Sequence, residues 1–412
     1  MFKPELLAPA KNIERLKVAV AYGADAVYVG GPRYGLRARA DNFSDAELTE
    51  GVAFAHQHGA KLYITLNAFL HDDDFEGLDS YCRFLESIGI DALIISDLGV
   101  LNVARESCNI DIHLSTQASC LNSDAAHVWK ALGIQRLIVG RELTVAEAGR
   151  IQQQAGIDVE MFTHGAMCMA YSGHCTISNF TAGRDSNRGG CVQSCRLPYQ
   201  LHATTDPVIS VSDLLEATPR TFMSSKDLWG VQQIADFFTH RICSLKIEGR
   251  MKSSLYVATT VKTYRQLIDA YAGGTLDGAL LDRLSRELQT MPHRDYFSGS
   301  LDTPAGPDSV FGQIGGINTG SHQYLGLVVE TNPHNVILRL LEPLTTGDAI
   351  EILPFDHQPI DWQVDHLYDV TGRPIDTMRK DSVVCLPRTE ALATVAPFNV
   401  VRIINQEAES IE

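Results

Sequence analysis

Gly133-Ile-Gln-Arg-Leu-Ile-Val-Gly-Arg141 and Gly156-Ile-Asp-Val-Glu-Met-Phe-Thr-His164 follow one another along this chain as two copies of one design. Each opens on a glycine placed where an amphipathic helix needs positive φ at its C-terminus, continues as a short apolar run, and ends on polar residues. The same unit stands upstream as Gly23-Ala-Asp-Ala-Val-Tyr-Val-Gly30, Gly59-Ala-Lys-Leu-Tyr-Ile-Thr-Leu-Asn67 and Gly89-Ile-Asp-Ala-Leu-Ile-Ile-Ser-Asp97. Continuous apolar strands alternating with helices predict a parallel sheet covered on its outer face, because such strands are buried on both sides. So many units in succession favour a TIM-like (β/α)8 barrel over a doubly wound sheet. Adding Glu5 to Ala8, Ile112 to Ser115, Phe222 to Ser225 and Ile242 to Ile247 gives nine candidate strands, one more than the barrel takes.

In such barrels the loops leaving the C-terminal strand ends converge on one mouth, and chemistry collects there. The strand ends here are polar: Asn67, Asp97, Thr116 with Gln117, Arg141 with Glu142, His164, Lys226 with Asp227, and Lys246 with Glu248 and Arg250. Taken singly, each reads as a helix cap or a rim ion pair, so it is their shared placement that carries the functional reading. Residues 1–270 are assigned to the barrel. Residues 271–319 form a helical extension and linker, since helical patterns span 255–290 and Gly299 to Gly320 is rich in Gly, Pro, Ser and Asp. Beyond it the period changes to alternation, in Tyr324 to Glu330, Val336 to Leu341, Asp348 to Leu353, Trp362 to Leu367, Ser382 to Leu386 and Asn399 to Ile404. Short alternating strands with Gly and Pro turns predict a small antiparallel β-barrel over 320–412.

The loop after His164 carries Cys168, Cys175, Cys191 and Cys195, four of the nine cysteines in 412 residues, spaced C-x6-C-x15-C-x3-C. Four soft sulfur donors in one loop-rich segment suit a zinc ion or an iron-sulfur cluster, and spacing alone does not choose between them. Cys82, Cys108, Cys120, Cys243 and Cys385 lie in or beside apolar patterns, where an inert buried thiol is usual. With 45% hydrophobic and 20% charged residues, no apolar run of about 18 residues and no basic-then-apolar N-terminus, the chain is expected to be soluble and cytoplasmic, with no membrane partner. In that reducing compartment a cysteine cluster means metal or redox chemistry rather than disulfides. The formal net charge, 34 minus 50 or −16, argues against a general nucleic-acid binder. Its distribution softens that: between Arg241 and Arg265 six basic residues face one acidic residue, Glu248, whereas residues 320–412 hold six basic and fourteen acidic ones.

Glu160-x-Phe162-x2-Gly165-Ala166-Met167-Cys168-x4-Gly173-x-Cys175-x-Ile177-Ser178 resembles the signature of the collagenase-like U-type peptidase family, and Ser244-Leu-Lys-Ile-Glu-Gly-Arg-Met-Lys-Ser253 resembles its second block. The similarity extends through Pro4-Glu-Leu-Leu-Ala-Pro-Ala10, Gly23-Ala-Asp-Ala-Val-Tyr28, Leu36-Arg-Ala-Arg39 and Ser115-Thr-Gln-Ala118 and covers most of the chain. Within the family, the His164-to-Cys175 block, the Cys191 and Cys195 pair and the C-terminal β region are most similar to the prephenate-dependent tRNA uridine hydroxylases. The resemblance implies a barrel with an iron-sulfur loop, a [4Fe-4S] cluster on Cys168, Cys175, Cys191 and Cys195, and oxygen-independent hydroxylation of the wobble uridine of tRNA to 5-hydroxyuridine with prephenate as co-substrate. An unidentified electron donor and the cluster-assembly machinery are implied as partners. Arg188-Gly-Gly-Cys191 shortens the second interval relative to some members, and a sister branch acting on quinone precursors takes a ligand farther along, which keeps Cys243 as an outside candidate. Members that hydroxylate ribosomal RNA are longer, which favours tRNA here. The segment Leu344-Thr-Thr-Gly-Asp-Ala-Ile-Glu-Ile-Leu353 also resembles the second-domain barrel of translation elongation factors.

Prephenate is a dicarboxylate, and Arg37, Arg39, Arg141, Arg196, Lys226, Lys246 and Arg250 are the cations suited to clamp it, the arginines in bidentate fashion. Arg39, Arg141, Lys246 and Arg250 are the candidate catalytic set. Arg37, Gln117, His164, Tyr171, Lys226 and Glu248 are candidate substrate contacts, with Tyr171 and His174 available to shield a metal or stack on a base. Peptidase activity is the rival reading, yet neither H-E-x-x-H nor G-x-S-x-G occurs. A structural zinc module in an RNA-binding protein is a third.

Overall fold

The computed structural model describes residues 2–36, 42–199, 221–306, 309 and 318–404. Seven parallel strands pair in chain order: β1 (Glu5–Pro9), β2 (Ala26–Gly30), β3 (Lys61–Leu66), β4 (Ala92–Ile95), β5 (Asp111–Leu114), β6 (Arg136–Ile138) and β7 (Asp158–Ala166). The short β8 (Asp227–Trp229) follows, and then β9 (Ser244–Ile247) closes the barrel by pairing in parallel with both β7 and β1. Helices α1 (Ile13–Ala21), α2 (Asp45–Gln57), α3 (Leu78–Ser87), α4 (Leu98–Ser107), α5 (Ser123–Ala131) and α6 (Val145–Ala155) cover the outside. A seventh, α7 (Ile177–Ala182), lies in the cysteine loop, and α8 (Ile234–Thr239) and α9 (Ser254–Ala272) flank β9.

Eight of the nine expected strands are thus barrel strands. The surplus one is Phe222 to Ser225, which forms a turn. The extended stretch beside it, β8, runs antiparallel to the last three residues of β7 with β10 (Tyr296–Phe297) on its far side, outside the barrel.

The repeated Gly-x-Asp of the sequence has a mechanical use at the N-terminal rim. Asp25 Oδ2 accepts the Leu6 N–H at 2.7 Å, Asp91 Oδ2 accepts that of Leu62 at 2.8 Å, and Gln135 Oε1 accepts that of Ile112 at 2.7 Å. The residue leading into one strand therefore satisfies the N–H of its neighbour's second residue, just before the parallel ladder between the two begins. At the opposite rim the helices start on side-chain caps: Asn12, Ser44, Asp97, Asn122, Thr144 and Ser253 each accept a first-turn N–H, with full capping boxes at Ser44/Glu47 and Thr144/Glu147.

The chain leaves the barrel through α9 and α10 (Gly278–Gln289) and enters an antiparallel region. Its strands are β11 (His322–Thr331), β12 (Asn335–Leu340), β13 (Leu344–Thr345), β14 (Ala349–Leu353), β15 (Ile360–Gln363), β16 (Leu367–Tyr368), β17 (Pro374–Ile375), β18 (Thr377–Met378), β19 (Val383–Pro387) and β20 (Val400–Ile404). Eight of these make one curled sheet in the order β15-β14-β20-β11-β12-β19-β16-β17 around an apolar core that includes Val328, Leu338, Ile352, Val384 and Val401, while β13 pairs with β18. The sheet is fastened to the barrel by buried polar contacts. Tyr22 Oη donates to Leu353 O and accepts from Val400 N–H, and Lys262 Nζ donates to the carbonyls of Pro354 and His357, both at 2.6 Å.

Arg402, almost wholly buried, bridges Glu287 of α10 at 2.7 Å and Glu351 of β14 at 2.6 Å, and Glu351 also takes His322 at 3.1 Å. Burial alone would raise the Glu351 carboxyl, but the hydrogen bond from His322 and the Arg402 guanidinium outweigh it and hold the pKa at about 2 against an ordinary 4.5. A depressed folded-state pKa gives stability that is complete above pH 4.5 and lost as pH falls towards 2. Roughly 3 kcal/mol should disappear over that window. Urea midpoints measured between pH 7 and pH 3 should therefore fall less steeply in Glu351→Gln than in the parent chain; equal slopes would refute this assignment.

Candidate active site

The mouth is built on a barrel interior that carries charge. Glu160 of β7, fully buried, accepts Lys246 Nζ at 2.8 Å and Arg136 Nη1 at 3.3 Å. Arg136 also reaches Glu5 at 2.6 Å, and Glu5 accepts Ser244 Oγ at 2.9 Å and Tyr63 Oη at 2.8 Å. Lys246 sits at the top of this column, its Nζ 4.4 Å from the centre of the Tyr28 ring. Burial disfavours its ammonium and lowers its pKa, with Glu160 opposing that effect.

Two adjoining cavities open above. The smaller, about 140 Å³, is lined by Tyr28, Thr65, Asn67, Gln117, Arg141, Phe162, Lys246, Glu248 and Arg250 among others. The larger, about 490 Å³, has Cys168, Cys175, Cys191 and Cys195 in its wall together with Gln117, Arg141, Glu142, Tyr171, Arg196 and Glu248. Leu36, Thr116, Gln117, Arg141 and Glu248 line both, so the cationic and the thiol-bearing spaces share a wall. Arg141 stacks its guanidinium over Phe162, 4.0 Å from the ring centre, and its buried Nε has no hydrogen-bond partner among the described residues. A buried donor without an acceptor is costly, and an anionic oxygen in the cavity would relieve it. Arg250 is held with Nη1 3.4 Å from Thr65 Oγ1 and lies so close to Gly30 that any side chain at that position would collide with the guanidinium.

The cysteine loop is fixed from several sides without help from sulfur. Glu142 accepts both the N–H and the hydroxyl of Ser172, at 2.6 and 3.0 Å, holding Ser172 in a left-handed conformation (φ 44°). His174 Nε2–H donates to the Gln117 carbonyl at 2.7 Å. Gly173, at φ +80°, packs directly on the Gln117 amide, and there both the backbone conformation and the close approach require glycine. Asn187 brackets Cys175, accepting its N–H at 3.3 Å and donating to its carbonyl at 3.0 Å. Arg188 ties the loop to Asp74 at 2.6 Å and His71 at 2.7 Å, and Arg196 donates to Ser225 O at 2.8 Å and to Met167 O.

The donor set suits a thiophilic group. Four thiols share one cavity, and the Ile177 N–H already donates to Cys175 Sγ at 3.4 Å. Burial raises the Cys195 thiol, with Arg196 opposing this and the other three cysteines adding to it, which places each of those three within electrostatic reach of Cys195. Among the described residues no three His, Cys, Asp or Glu side chains stand at ligating separations, so the thiols surround the space without being drawn together. Cys243 lies at the far end of the barrel, its backbone paired with Glu5 and Val159, and is not brought to this cavity.

Of the residues expected from sequence, Gln117, Arg141, Lys246, Glu248 and Arg250 meet at the mouth, and Tyr171 lines the thiol cavity. Arg37 and Arg39 lie outside the described residues. Lys226 is half-buried beside Ser225, its N–H donating to Ser309 O, and lines neither cavity. His164 is a correction: it is fully buried on the helix side, 5.4 Å from the rings of both Tyr264 and Tyr296, and burial drives its pKa down to about 3. The cause is a bulge in the β7–β9 pairing between Phe162 and His164. Glu160 and Phe162 face inward; the extra residue reverses the alternation and turns His164 out. Sequence reasoning also passed over Asn187, whose partner is a backbone twelve residues away, and undervalued Glu142, which its place at a strand end could have flagged.

No helix among the described residues is long and apolar enough to cross a membrane. Among known proteins, the chain is 39% identical over 384 residues to tRNA hydroxylation protein P1 of Bacillus subtilis (strain 168), covering 92% of this chain and 90% of that one. It is 32% identical over 415 residues to tRNA hydroxylation protein P of Escherichia coli (strain K12), covering 90% of each. To the 23S rRNA 5-hydroxycytidine C2501 synthase of Escherichia coli (strain K12) it is 35% identical over 355 residues, which are 85% of this chain and 52% of that protein. The model of peptidase family U32 matches residues 11–309, and the chain belongs to that family.

Proposed function

We propose that this chain is an enzyme that hydroxylates RNA, and specifically that it converts the wobble uridine of tRNA to 5-hydroxyuridine with prephenate as co-substrate, in the cytoplasm. The observation that carries the reading is 39% identity over nine-tenths of both chains to a protein named for tRNA hydroxylation. Cys168, Cys175, Cys191 and Cys195 would hold a [4Fe-4S] cluster. Such a group supplies one-electron redox chemistry when bound.

The chain's own residues supply binding and orientation. Arg141, with its unpartnered Nε and its guanidinium braced on Phe162, is suited to take a carboxylate in bidentate fashion. Lys246, fixed by Glu160, adds a point charge, and Arg250 adds a second guanidinium to the same cavity. Gln117, whose buried Oε1 accepts no hydrogen bond among the described residues, stands where both cavities meet and offers an acceptor to a substrate N–H or hydroxyl. Peptidase chemistry finds less support. Ser119 Oγ lies 3.3 Å from His174 Nε2, but that nitrogen already donates to Gln117 O at 2.7 Å and cannot also accept the hydroxyl proton.

Mass spectrometry of tRNA nucleosides from a deletion strain should show loss of 5-hydroxyuridine, and anaerobically purified protein with prephenate and a reductant should restore it. No product from iron-replete protein would defeat the reading. Arg141→Ala should lower hydroxylation about tenfold to a hundredfold and raise the prephenate concentration needed, since losing one charge-assisted contact costs roughly 1.5–3 kcal/mol. Iron content should be unchanged; an unaltered prephenate dependence would remove Arg141 from the clamp.

A further inference from the structure

The cavity that carries the cysteines is rimmed by side chains that a folded protein normally hides. Tyr171 is 59% exposed, Phe180 88% and Leu197 56%, with Met169 and Phe222 also open to solvent. Phe180 belongs to α7, the short helix whose Ile177 and Ser178 line the cavity, and its own ring is turned to solvent. No other large apolar side chain among the described residues exceeds 67% exposure.

Charge says what covers this rim. Residues 168–199 carry Arg184, Arg188 and Arg196 against Asp185 alone, a local excess of positive charge in a chain of net charge −16. Arg188 and Arg196 are occupied in holding the loop. Arg184 is different: its Nε is buried and its side chain has no hydrogen-bond or ion-pair partner among the described residues, while its backbone N–H is tied to Ser178 O of α7 at 3.1 Å. An open aromatic ring and an unpaired guanidinium four residues apart on one loop are the chemistry that single-stranded nucleic acid recognises, the ring stacking on a base and the cation meeting a phosphate.

We propose that the cysteine-loop rim is the docking surface for the unpaired RNA strand, with Phe180 stacking on a base flanking the reacting nucleotide and Arg184 binding a backbone phosphate. The proposal rests on the RNA-hydroxylation reading and adds to it where the RNA sits. The smaller cavity then receives the co-substrate from below, while the nucleotide enters past Tyr171.

The test uses the full-length, anaerobically purified protein, with bulk tRNA and a labelled oligouridine as probes at several salt concentrations. Phe180→Ala should weaken binding of both about tenfold, and Phe180→Trp should restore it while Phe180→Leu should not. Arg184→Gln should flatten the slope of log affinity against log salt by about one. Iron content and thermal melting should match the parent chain, since the Phe180 ring is exposed and the Arg184 side chain makes no hydrogen bond or ion pair among the described residues that its loss would break. Unchanged affinity in Phe180→Ala, or full rescue by leucine, would overturn the proposal. So would a Phe180→Ala protein that binds RNA normally but is reduced slowly by a protein electron donor, which would make the rim a protein-docking face. A parent chain that binds tRNA but forms no 5-hydroxyuridine defeats the function reading alone; one that hydroxylates while Phe180→Ala is unimpaired defeats the surface alone.

Discussion

Serine in place of Cys168, Cys175, Cys191 or Cys195 is expected to abolish iron binding and tRNA hydroxylation while leaving the barrel folded. The loop keeps its course through oxygen and nitrogen contacts: Glu142 on Ser172, Asn187 on Cys175, Arg188 on Asp74 and Arg196 on Ser225. Exchanging one sulfur for oxygen leaves those contacts in place but replaces a soft thiolate by a hydroxyl, which is a poor ligand for iron in a cluster. Iron and labile-sulfide analysis of each variant should show the loss, and circular dichroism melting should differ little from the parent chain. Cys243→Ser is the internal comparison. Cys243 is half-buried within electrostatic reach of Arg136 and Glu5 at the other end of the barrel, and desolvation raises its thiol pKa. That variant should keep its iron. If Cys191→Ser retains full iron while Cys243→Ser loses it, the ligand set is wrong.

Glu160→Ala should be the most destabilising single change at the mouth. Glu160 is fully buried and holds two cations, Lys246 at 2.8 Å and Arg136 at 3.3 Å. Removing it leaves Lys246 in an apolar shell of Tyr28 and Phe162 with no counter-charge among the described residues, and breaking one partner of a buried pair costs about 3–5 kcal/mol. Lys246, already depressed by burial, should be depressed further once Glu160 no longer opposes that effect, so hydroxylation should fall even where the protein stays folded. Urea unfolding reads the first effect and activity at fixed folded fraction the second. Glu160→Gln, which keeps the shape and one acceptor, should cost less than alanine. A Glu160→Ala midpoint indistinguishable from the parent would show that this column does not stabilise the barrel.

Much of this was legible in the chain. Glycine-led apolar runs named five of the eight barrel strands and apolar runs without a leading glycine the other three, because a helix C-terminus and a doubly buried parallel strand each impose a local residue pattern. The four clustered cysteines named a candidate centre, because loop-borne soft donors need no long-range folding to be recognised. Polar strand ends named Gln117, Arg141, Lys246, Glu248 and Arg250, since the barrel sends every such end to one mouth.

What remained hidden depended on register and on distant partners. Phe222 to Ser225 has the composition of a strand, yet the barrel was already closed by the pairing of β9 with β7 and β1, and no parallel neighbour was left for it. His164 ends an apolar run as Arg141 does, and a one-residue bulge, set by the fit of β7 to β9, sent it to the opposite face. Period and composition are local properties, so the sequence by itself determined the barrel, the antiparallel region after it and the thiol loop. The direction in which each polar side chain points depends on pairing between segments far apart in the chain, and only the tertiary structure decided that Lys246 faces the mouth while His164 lies buried behind it.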